Sequence, residues 1–434
     1  MILTLVISLL VFAGIICSII LFPKLKIGKI ELSTYWLIAL LGAIIMIATL
    51  RVSFVDLDKA LFDNSSEMNP IKILILFFSM TFLSVFLEEA EFFKYLANIA
   101  VKKAKKSQTT LFVILYFLTA VLTIFTSNDI VILTLTPFIC YFCKNAKIKP
   151  LPYLIGEFAA ANTWSMMFII GNPTNMYLGA TAGIDFLGYA KVMILPTLAA
   201  GIVEFFIIFL LFRKSLKEPL VVEHEDVKIT NKVDAIVGVS HLVICLILLI
   251  ISNIIHISMW LLAFIVAFSL LIYFFISHFI SKDLNETGMR IVKALPWQLI
   301  PFVISMFVIV VSLNQNGVAD LLRNFLGTSH TIWTYGPTSF LASNLINNIP
   351  MSILYSTLPT MGGAEQVRAT YASIAGSNIG AFLTPIGALA GIMFNSLLKE
   401  HDVKLSFKQF SLYGVIVAIP TFVITLVILS LILA

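Results

Sequence analysis

Charge is what this sequence has least of. Lys and Arg number 28 and Asp and Glu 23 in 434 residues, so charged side chains make up 12% against 60% hydrophobic. A water-soluble chain carries about 25% charged residues, and a soluble fold is therefore excluded. Cysteine is also scarce. Cys17 and Cys245 stand alone, and Cys140 and Cys143 form one CxxC with no second Cys or His pair beside it. That excludes a disulfide framework and a zinc site, and all four read as small apolar residues. HExxH, nucleophile motifs, cofactor fingerprints and the Gly-rich phosphate loop are all missing, so neither an enzyme nor a cofactor or metal is expected. Any use of ATP would need a soluble ATPase partner. The net charge of +5 comes from short basic clusters between apolar runs, which argues for membrane topology and against a nucleic-acid surface.

What is present is apolar sequence in lengths that suit a bilayer. About 20 apolar residues cross the hydrocarbon core as a helix, and uncharged windows of this kind run over 3–21 and 410–433. Spans are expected near 2–22, 35–50, 71–87, 151–182, 187–212, 233–252, 257–280, 297–313, 366–397 and 410–433, ten in all. Two further stretches, 109–143 and 331–358, are interrupted by polar residues and read as re-entrant hairpins. The expected fold class is an all-α polytopic membrane protein with two hairpins and two broken helices, 151–182 and 366–397.

An N-terminus outside the membrane puts the basic clusters at 24–29, 102–106, 144–149, 213–232 and 399–408 on one side, which the positive-inside rule makes the cytoplasm. Asp56, Asp58, Asp63 and Glu67 then fall outside. The C-terminus also falls outside, and the location read from this pattern is the inner, cytoplasmic membrane. Residues 213–232, with Glu218, Glu223, Glu225 and Asp226, read as a cytoplasmic linker between halves.

An internal repeat gives the organisation. FFSMTFLSVFLEEAEFFKYL (77–96) parallels FVISMFVIVVSLNQNGVADLL (302–322), anchored by Ser79-Met80 and Ser305-Met306. Each half continues into an interrupted hairpin with Ser-Asn near its middle, Ser127-Asn128 and Ser343-Asn344, and then into a second Asn motif at Asn162 and at Asn378. The halves enter from opposite sides, the inverted-repeat plan of many secondary transporters. The expected division is 1–70 as N-terminal scaffold spans, 71–212 as the first repeat, 213–232 as linker, 233–296 as connecting spans and 297–434 as the second repeat.

Irregular backbone at membrane depth has to line a protein-enclosed cavity. Four interruptions fit: TSND (126–129), NTWSMMFIIGNPTN (162–175), SNLINN (343–348) and GSNIGAFLTPIG (376–387). Gly171 and Pro173 are expected to break the first helix, and Gly376, Gly380, Pro385 and Gly387 the second. Half-helix ends then face the cavity, where amides hold anions or polar oxygens and carbonyls hold cations. The candidate solute-binding residues are Ser127, Asn128, Asn162, Thr163, Asn172, Thr174, Asn175, Ser343, Asn344, Asn347, Asn348, Ser377, Asn378 and Thr384. They donate and accept without a fixed charge, although Asn also caps hairpin turns. Asp129 and Glu157 are candidates for the coupling ion or proton, with a helix cap and a snorkelling side chain as the respective alternatives. Glu88, Glu89 and Glu91 beside Lys94 are expected to face water or headgroups. Arg368, Lys191, His241 and His278 are expected in interfacial or satisfied positions.

At these residues the chain resembles the arsenite efflux permeases of the ion transporter superfamily, which also holds sodium/proton antiporters and sodium-coupled dicarboxylate transporters. The resemblance rests on FLEEAEFFKYLA (86–97), TSNDIVILTLTPFI (126–139), LPWQLIPFVISMFVIVVSLNQNGVADLL (295–322), SNLINNIP (343–350) and LTPIGALA (383–390). It implies a scaffold domain and a transport domain, a site at Asn128, Asp129, Asn162, Thr163, Asn344, Asn347, Asn348, Asn378 and Thr384, and a homodimer. Two departures bear on the substrate: GNPTN (171–175) stands where those permeases tend to show Ser-Asn-Leu-x-Asn, and Asn378 where they tend to show Asp. The leading expectation is proton-coupled efflux of arsenite or antimonite. Sodium-coupled transport of a carboxylate or inorganic anion, and sodium/proton antiport, stay open as alternatives.

Overall fold

A computed structural model describes residues 1–22, 24–27, 30–62, 69–104, 107–218, 231–252, 254–281, 284–359 and 362–434. Asp63 and Glu67 of the acidic segment, and 219–230 of the linker with Glu223, Glu225 and Asp226, lie outside them.

Among the described residues there are twenty α-helices in two series of ten. The first is α1 (Ile2–Leu21), α2 (Thr34–Ala48), α3 (Phe54–Phe62), α4 (Pro70–Glu89), α5 (Phe92–Lys103), α6 (Gln108–Phe125), α7 (Asn128–Asn145), α8 (Leu151–Trp164), α9 (Pro173–Thr181) and α10 (Phe186–Phe212). The second is α11 (Lys232–Ile251), α12 (Met259–Ser281), α13 (Leu284–Ala294), α14 (Leu299–Gln315), α15 (Val318–Leu326), α16 (Thr331–Ile346), α17 (Asn348–Thr357), α18 (Gly363–Gly380), α19 (Leu389–Glu400) and α20 (Phe407–Ile432). In each series two long helices and a short amphipathic one lead into a long helix, another short one, a hairpin, a broken helix and a closing span. Packing is exchanged between the series. The hairpin helix α7 lies against α19 and its counterpart α17 against α9, while α1 and α2 pack on α14, and α11 and α12 on α4. Such exchange follows from two repeats related by a two-fold axis, the inverted arrangement of transporter folds. The correspondence includes the three helices that open each series as well as the seven within 71–212 and 297–434.

Among the described residues, eight helical segments are long and apolar enough to cross a membrane. The set differs from the ten expected spans in four places: the broken stretches 151–182 and 366–397 supply none of the eight, and the other two are α2 and α6. α2 runs for 15 residues and falls short of that length, while α6, the first arm of the first hairpin, reaches 18. A two-stranded hairpin, β1 (Lys24–Ile27) with β2 (Ile30–Ser33), joins α1 to α2 and had not been anticipated.

Lipid exposure explains the placing of the rest. α10 turns Leu195, Leu198, Ile202, Phe206 and Leu210 outward and buries Tyr189, Thr197, Gly201 and Glu204. By contrast α8 is buried from Pro152 to Trp164, and α18 from Ala369 to Gly380. Helices with no exposed face belong at the centre, and these two carry the Asn motifs.

The inward approach of α16 to α18 depends on glycine. A Cβ at Gly376 would meet Ser339 Oγ at 2.1 Å and Phe340 N at 2.7 Å; at Gly380 it would meet Ser343 Oγ at 2.6 Å. These glycines do not break the helix as expected, because α18 runs through both and ends at Gly380. They are the small-residue face on which α16 lies. The break is carried by 381–388, where Pro385 and Gly387 sit.

Candidate functional site

Each hairpin turns over through a short non-helical link. Thr126 ends α6, Ser127 is extended, and Asn128 opens α7. In the second half Asn347 links α16 to α17 and Asn348 opens α17. The structural counterpart of Asn128 is therefore Asn348, and the Ser-Asn pairs are not equivalent: Ser343 and Asn344 lie in the last turn of α16, before the break. Asn162 and Asn378 remain matched, each two residues from the end of its helix. The second half is four residues, about one helical turn, shorter between its two Asn positions, which explains how a repeat read by spacing alone slips by a turn.

The chain after α8 folds back on itself. Gly171 packs so closely that a Cβ would meet Ser165 O at 2.2 Å, and Pro173 occupies the first position of α9, where its missing N–H costs nothing. Asn172 caps α9 through Thr174 N at 3.1 Å and also accepts from Thr174 Oγ1 at 3.0 Å.

From this fold-back a network crosses between the repeats. Asn128 Nδ2 donates to Asn162 Oδ1 at 3.3 Å. Ser165 Oγ stands 2.7 Å from Asn162 O and 3.0 Å from Asn378 Oδ1. Asn172 Nδ2 donates to Asn378 Oδ1 at 3.0 Å, and Asn378 Nδ2 donates to Asn175 Oδ1 at 2.6 Å and Ile374 O at 2.8 Å. Asn175 Nδ2 returns to Ser165 O at 2.9 Å. A few residues on, Asn344 Nδ2 reaches Gly380 O at 2.9 Å, Thr384 Oγ1 donates to Asn344 Oδ1 at 2.6 Å, and Asn347 Nδ2 reaches Ile386 O at 3.2 Å. Asn348 N donates to Gly387 O at 3.0 Å. Ser343 Oγ bonds back to Phe340 O at 2.9 Å.

Four buried atoms of this set have no hydrogen-bond partner: Ser127 Oγ, Asn128 Oδ1, Asn348 Oδ1 and Ser377 Oγ. Buried polar groups are almost always paired, so these four atoms are free to bond a partner from outside the protein. All hydrogen-bonding side chains of the network are uncharged.

Asn347 holds φ 71° and ψ 153°, a region that costs a non-glycine residue about 1–3 kcal/mol. Its amide is fixed at both ends, by Ile386 O and by the Ile349 N it caps. Replacement by Ala keeps the strain and loses both bonds, a loss of about 1–3 kcal/mol. Asn347→Gly relieves the strain as it loses the bonds. Thermal denaturation is expected to place Asn347→Ala well below Asn347→Gly, with solute affinity reduced in both.

The two acids named from sequence lie off the network. Asp129, in the first turn of α7, is half-buried and faces Tyr35 of α2 within electrostatic range. Glu157 is buried, with both oxygens 2.9 Å from Thr136 Oγ1 of α7, so it does not snorkel. Glu88 turns inward with a buried Oε2, contrary to the expectation for its cluster, while Glu89 pairs with Arg290 at 2.7 Å. His278 packs against Asp234 with 3.6 Å between Nε2 and Oδ2.

Sequence reasoning missed Glu204. It is buried in α10, with Oε1 2.9 Å from Tyr116 O–H and Oε2 2.5 Å from Thr163 Oγ1, next to Asn162. The signal was available, since Glu204 is the single acid in the 27 residues of α10, but it falls outside the repeated polar interruptions.

A multi-pass helical fold with two broken helices and two hairpins enclosing a polar, buried centre defines a membrane transporter. The citrate transporter (CitMHS) family profile matches residues 27–376, and the chain belongs to that family, within the ion transporter superfamily. It is similar to the arsenical pump membrane protein of Escherichia coli (strain K12), 25% identical over 373 residues that cover 82% of this chain and 85% of the relative. The arsenical pump membrane protein of Yersinia enterocolitica is 24% identical over 369 residues, with coverage of 82% and 85%. Among solved structures, the Alcanivorax borkumensis YdaH transporter matches 100% of this chain and 97% of its own, with a TM-score of 0.55 at 13% identity, a likeness of fold.

Proposed function

We propose that the chain exports arsenite or antimonite across the cytoplasmic membrane in exchange for protons. The observation that carries this reading is the set of four unpartnered buried atoms in a network without a charged side chain. Trivalent arsenic and antimony in water are neutral and hydroxylated, so each solute brings hydroxyl donors and acceptors to amide and hydroxyl partners. A carboxylate solute recognised by protein alone calls for Arg or Lys forks, and no basic side chain hydrogen-bonds to the network among the described residues. The relatives named as arsenical pumps support the same reading.

The family's own description and the GNPTN run favour a second reading, a carboxylate carried with sodium, in which the cation supplies the missing positive charge at the half-helix carbonyls. One experiment separates the two. Expression in a strain stripped of its own arsenite exporter is expected to restore growth in arsenite. No gain despite confirmed insertion, together with sodium-dependent citrate uptake in proteoliposomes, would replace the first reading by the second.

Ser377→Ala supplies a sharper check on the site. The hydroxyl has no protein partner, so its removal is expected to leave thermal stability unchanged or slightly raised. Loss of one solute contact is expected to weaken half-saturation by about tenfold. An unchanged half-saturation concentration removes Ser377 from the site.

A further inference from the structure

Resting on the proton-coupled reading above, we infer that Glu204 is a proton-carrying carboxyl group, protonated in this conformation and wired through Thr163 to the network. Tyr116 O–H lies 2.7 Å from Gly201 O and 2.9 Å from Glu204 Oε1, and receives Trp164 Nε1–H at 3.2 Å. Thr163 Oγ1 lies 2.5 Å from Glu204 Oε2. These are four contacts, and Trp164, Tyr116 and Thr163 bring three protons. Gly201 O only accepts. With Glu204 ionised, Tyr116 would hold one hydrogen for two acceptors, Gly201 O and a full carboxylate charge in a buried pocket, so we place the fourth proton on Glu204. Its Oε1–H donates to Tyr116, Tyr116 donates to Gly201 O, and Thr163 donates to Oε2. The Tyr116 oxygen then accepts twice and donates once, which fills its capacity.

The pocket is built for this arrangement. Gly201 leaves the space the indole needs, since a Cβ there would meet Trp164 Cε2 at 2.3 Å. Among the described residues Glu204 forms no ion pair, and the titratable groups on the surrounding elements are engaged elsewhere or lie apart. Tyr189 of α10 bonds Met166 O, Tyr153 of α8 bonds Gln108, and Glu157 is held by Thr136. Tyr413 of α20 packs on Phe212, about two turns along α10, and Lys408 is exposed in the first turn of α20. On α11, Asp234 is bonded to Asn231 and Tyr273, and His241 to Val237 O.

Release of the proton to water in an open cavity leaves Tyr116 with one hydrogen for two acceptors. Tyr116 must then abandon Gly201 O or face a carboxylate, and Thr163 is drawn toward the charge. Thr163 sits between Asn162 and Trp164 at the end of α8, so the protonation state of Glu204 is transmitted to the helix end that bonds Asn128.

Glu204→Gln tests this, because an amide supplies the same donor to Tyr116 and the same acceptor to Thr163 but has no proton to give up. Infrared spectra of the purified full-length protein in lipid need no solute. The wild type is expected to show a protonated-carboxyl C=O band that Glu204→Gln lacks and Glu157→Gln retains. In proteoliposomes, Glu204→Gln is expected to keep arsenite exchange at equal pH and to lose pH-gradient-driven transport by at least about tenfold. A wild-type spectrum without that band, or Glu204→Gln with wild-type pH-driven transport, overturns the inference. If Glu204→Gln does not fold, Tyr116→Phe is expected to move the infrared titration midpoint of this carboxyl by about one pH unit, and no movement overturns it. A wild type that moves no arsenite defeats the substrate reading alone, since the spectra stand without it.

Discussion

Asn378→Ala is expected to abolish transport and to lower stability by about 2–6 kcal/mol, from two orphaned buried groups at about 1–3 kcal/mol each. Ser165 keeps Asn162 O, and Ile374 O keeps the helical bond of α18. What is left without a partner is Asn172 Nδ2 on one side and Asn175 Oδ1 on the other. Both belong to the first repeat and Asn378 to the second, so the substitution unties a residue to which the fold-back of α8 and α9 is bonded across the two-fold through Ser165, Asn172 and Asn175. Transport in proteoliposomes should fall more than about a hundredfold, since about 2.7 kcal/mol of mispositioning suffices for that. Asn378→Asp separates charge from connectivity. An ionised carboxylate still accepts from Asn172 and Ser165 but cannot donate to Asn175 Oδ1, which lies 2.6 Å away. Activity of Asn378→Asp is therefore expected to fall as pH rises, because only the protonated acid restores the donor. Equal activity at all pH values, or an Asn378→Ala protein with wild-type stability, would show that this node does not hold the halves together.

The uneven legibility of this site has a physical reason. Asn, Ser, Gly and Pro inside apolar text are costly in lipid unless the chain is irregular there, so the four interruptions at 126–129, 162–175, 343–348 and 376–387 could be located from sequence, and all four lie in or beside the network. Which residue caps and which bonds across could not be read, because Asn does both. Asn172 caps α9 while also bonding Asn378 of the other repeat, and Asn347 caps α17 while also bonding Ile386 O of its own repeat. Glu204 lies on an unbroken span whose other face is exposed and apolar, so no polar interruption marks it. The β1–β2 strands have alternating Lys24, Lys26 and Leu25, Ile27, a period-two pattern that the basic cluster had led to be read only as topology. Gly376 was misread for a more general reason: glycine frees the backbone and also removes a side chain, and sequence does not say which property is in use.

Gly376→Ala discriminates those two uses and is expected to be severely damaging for the addition of a single methyl group. If Gly376 served to break a helix, alanine would strengthen α18 by about 1 kcal/mol. In the folded chain its Cβ would stand 2.1 Å from Ser339 Oγ, 2.7 Å from Phe340 N and 2.8 Å from Gly336 O. The serine hydroxyl can rotate away, but the two backbone atoms belong to α16 and move only if the whole helix does. Separation of α16 from α18 also withdraws Asn344 from Gly380 O and Thr384 from its partner, so the cost includes buried polar groups as well as lost packing, in all more than about 4 kcal/mol. Gly288→Ala is the matched control. It lies inside α13, and its Cβ would meet Phe274 Cζ at 3.6 Å, an ordinary contact. There the helix-propensity gain of about 1 kcal/mol is expected to appear. Size-exclusion profiles and thermal denaturation in detergent read both. Should Gly376→Ala be monodisperse and as stable as wild type, α16 does not rest on α18 at the distance described, and the second half of the site is not held as the hydrogen-bond network requires.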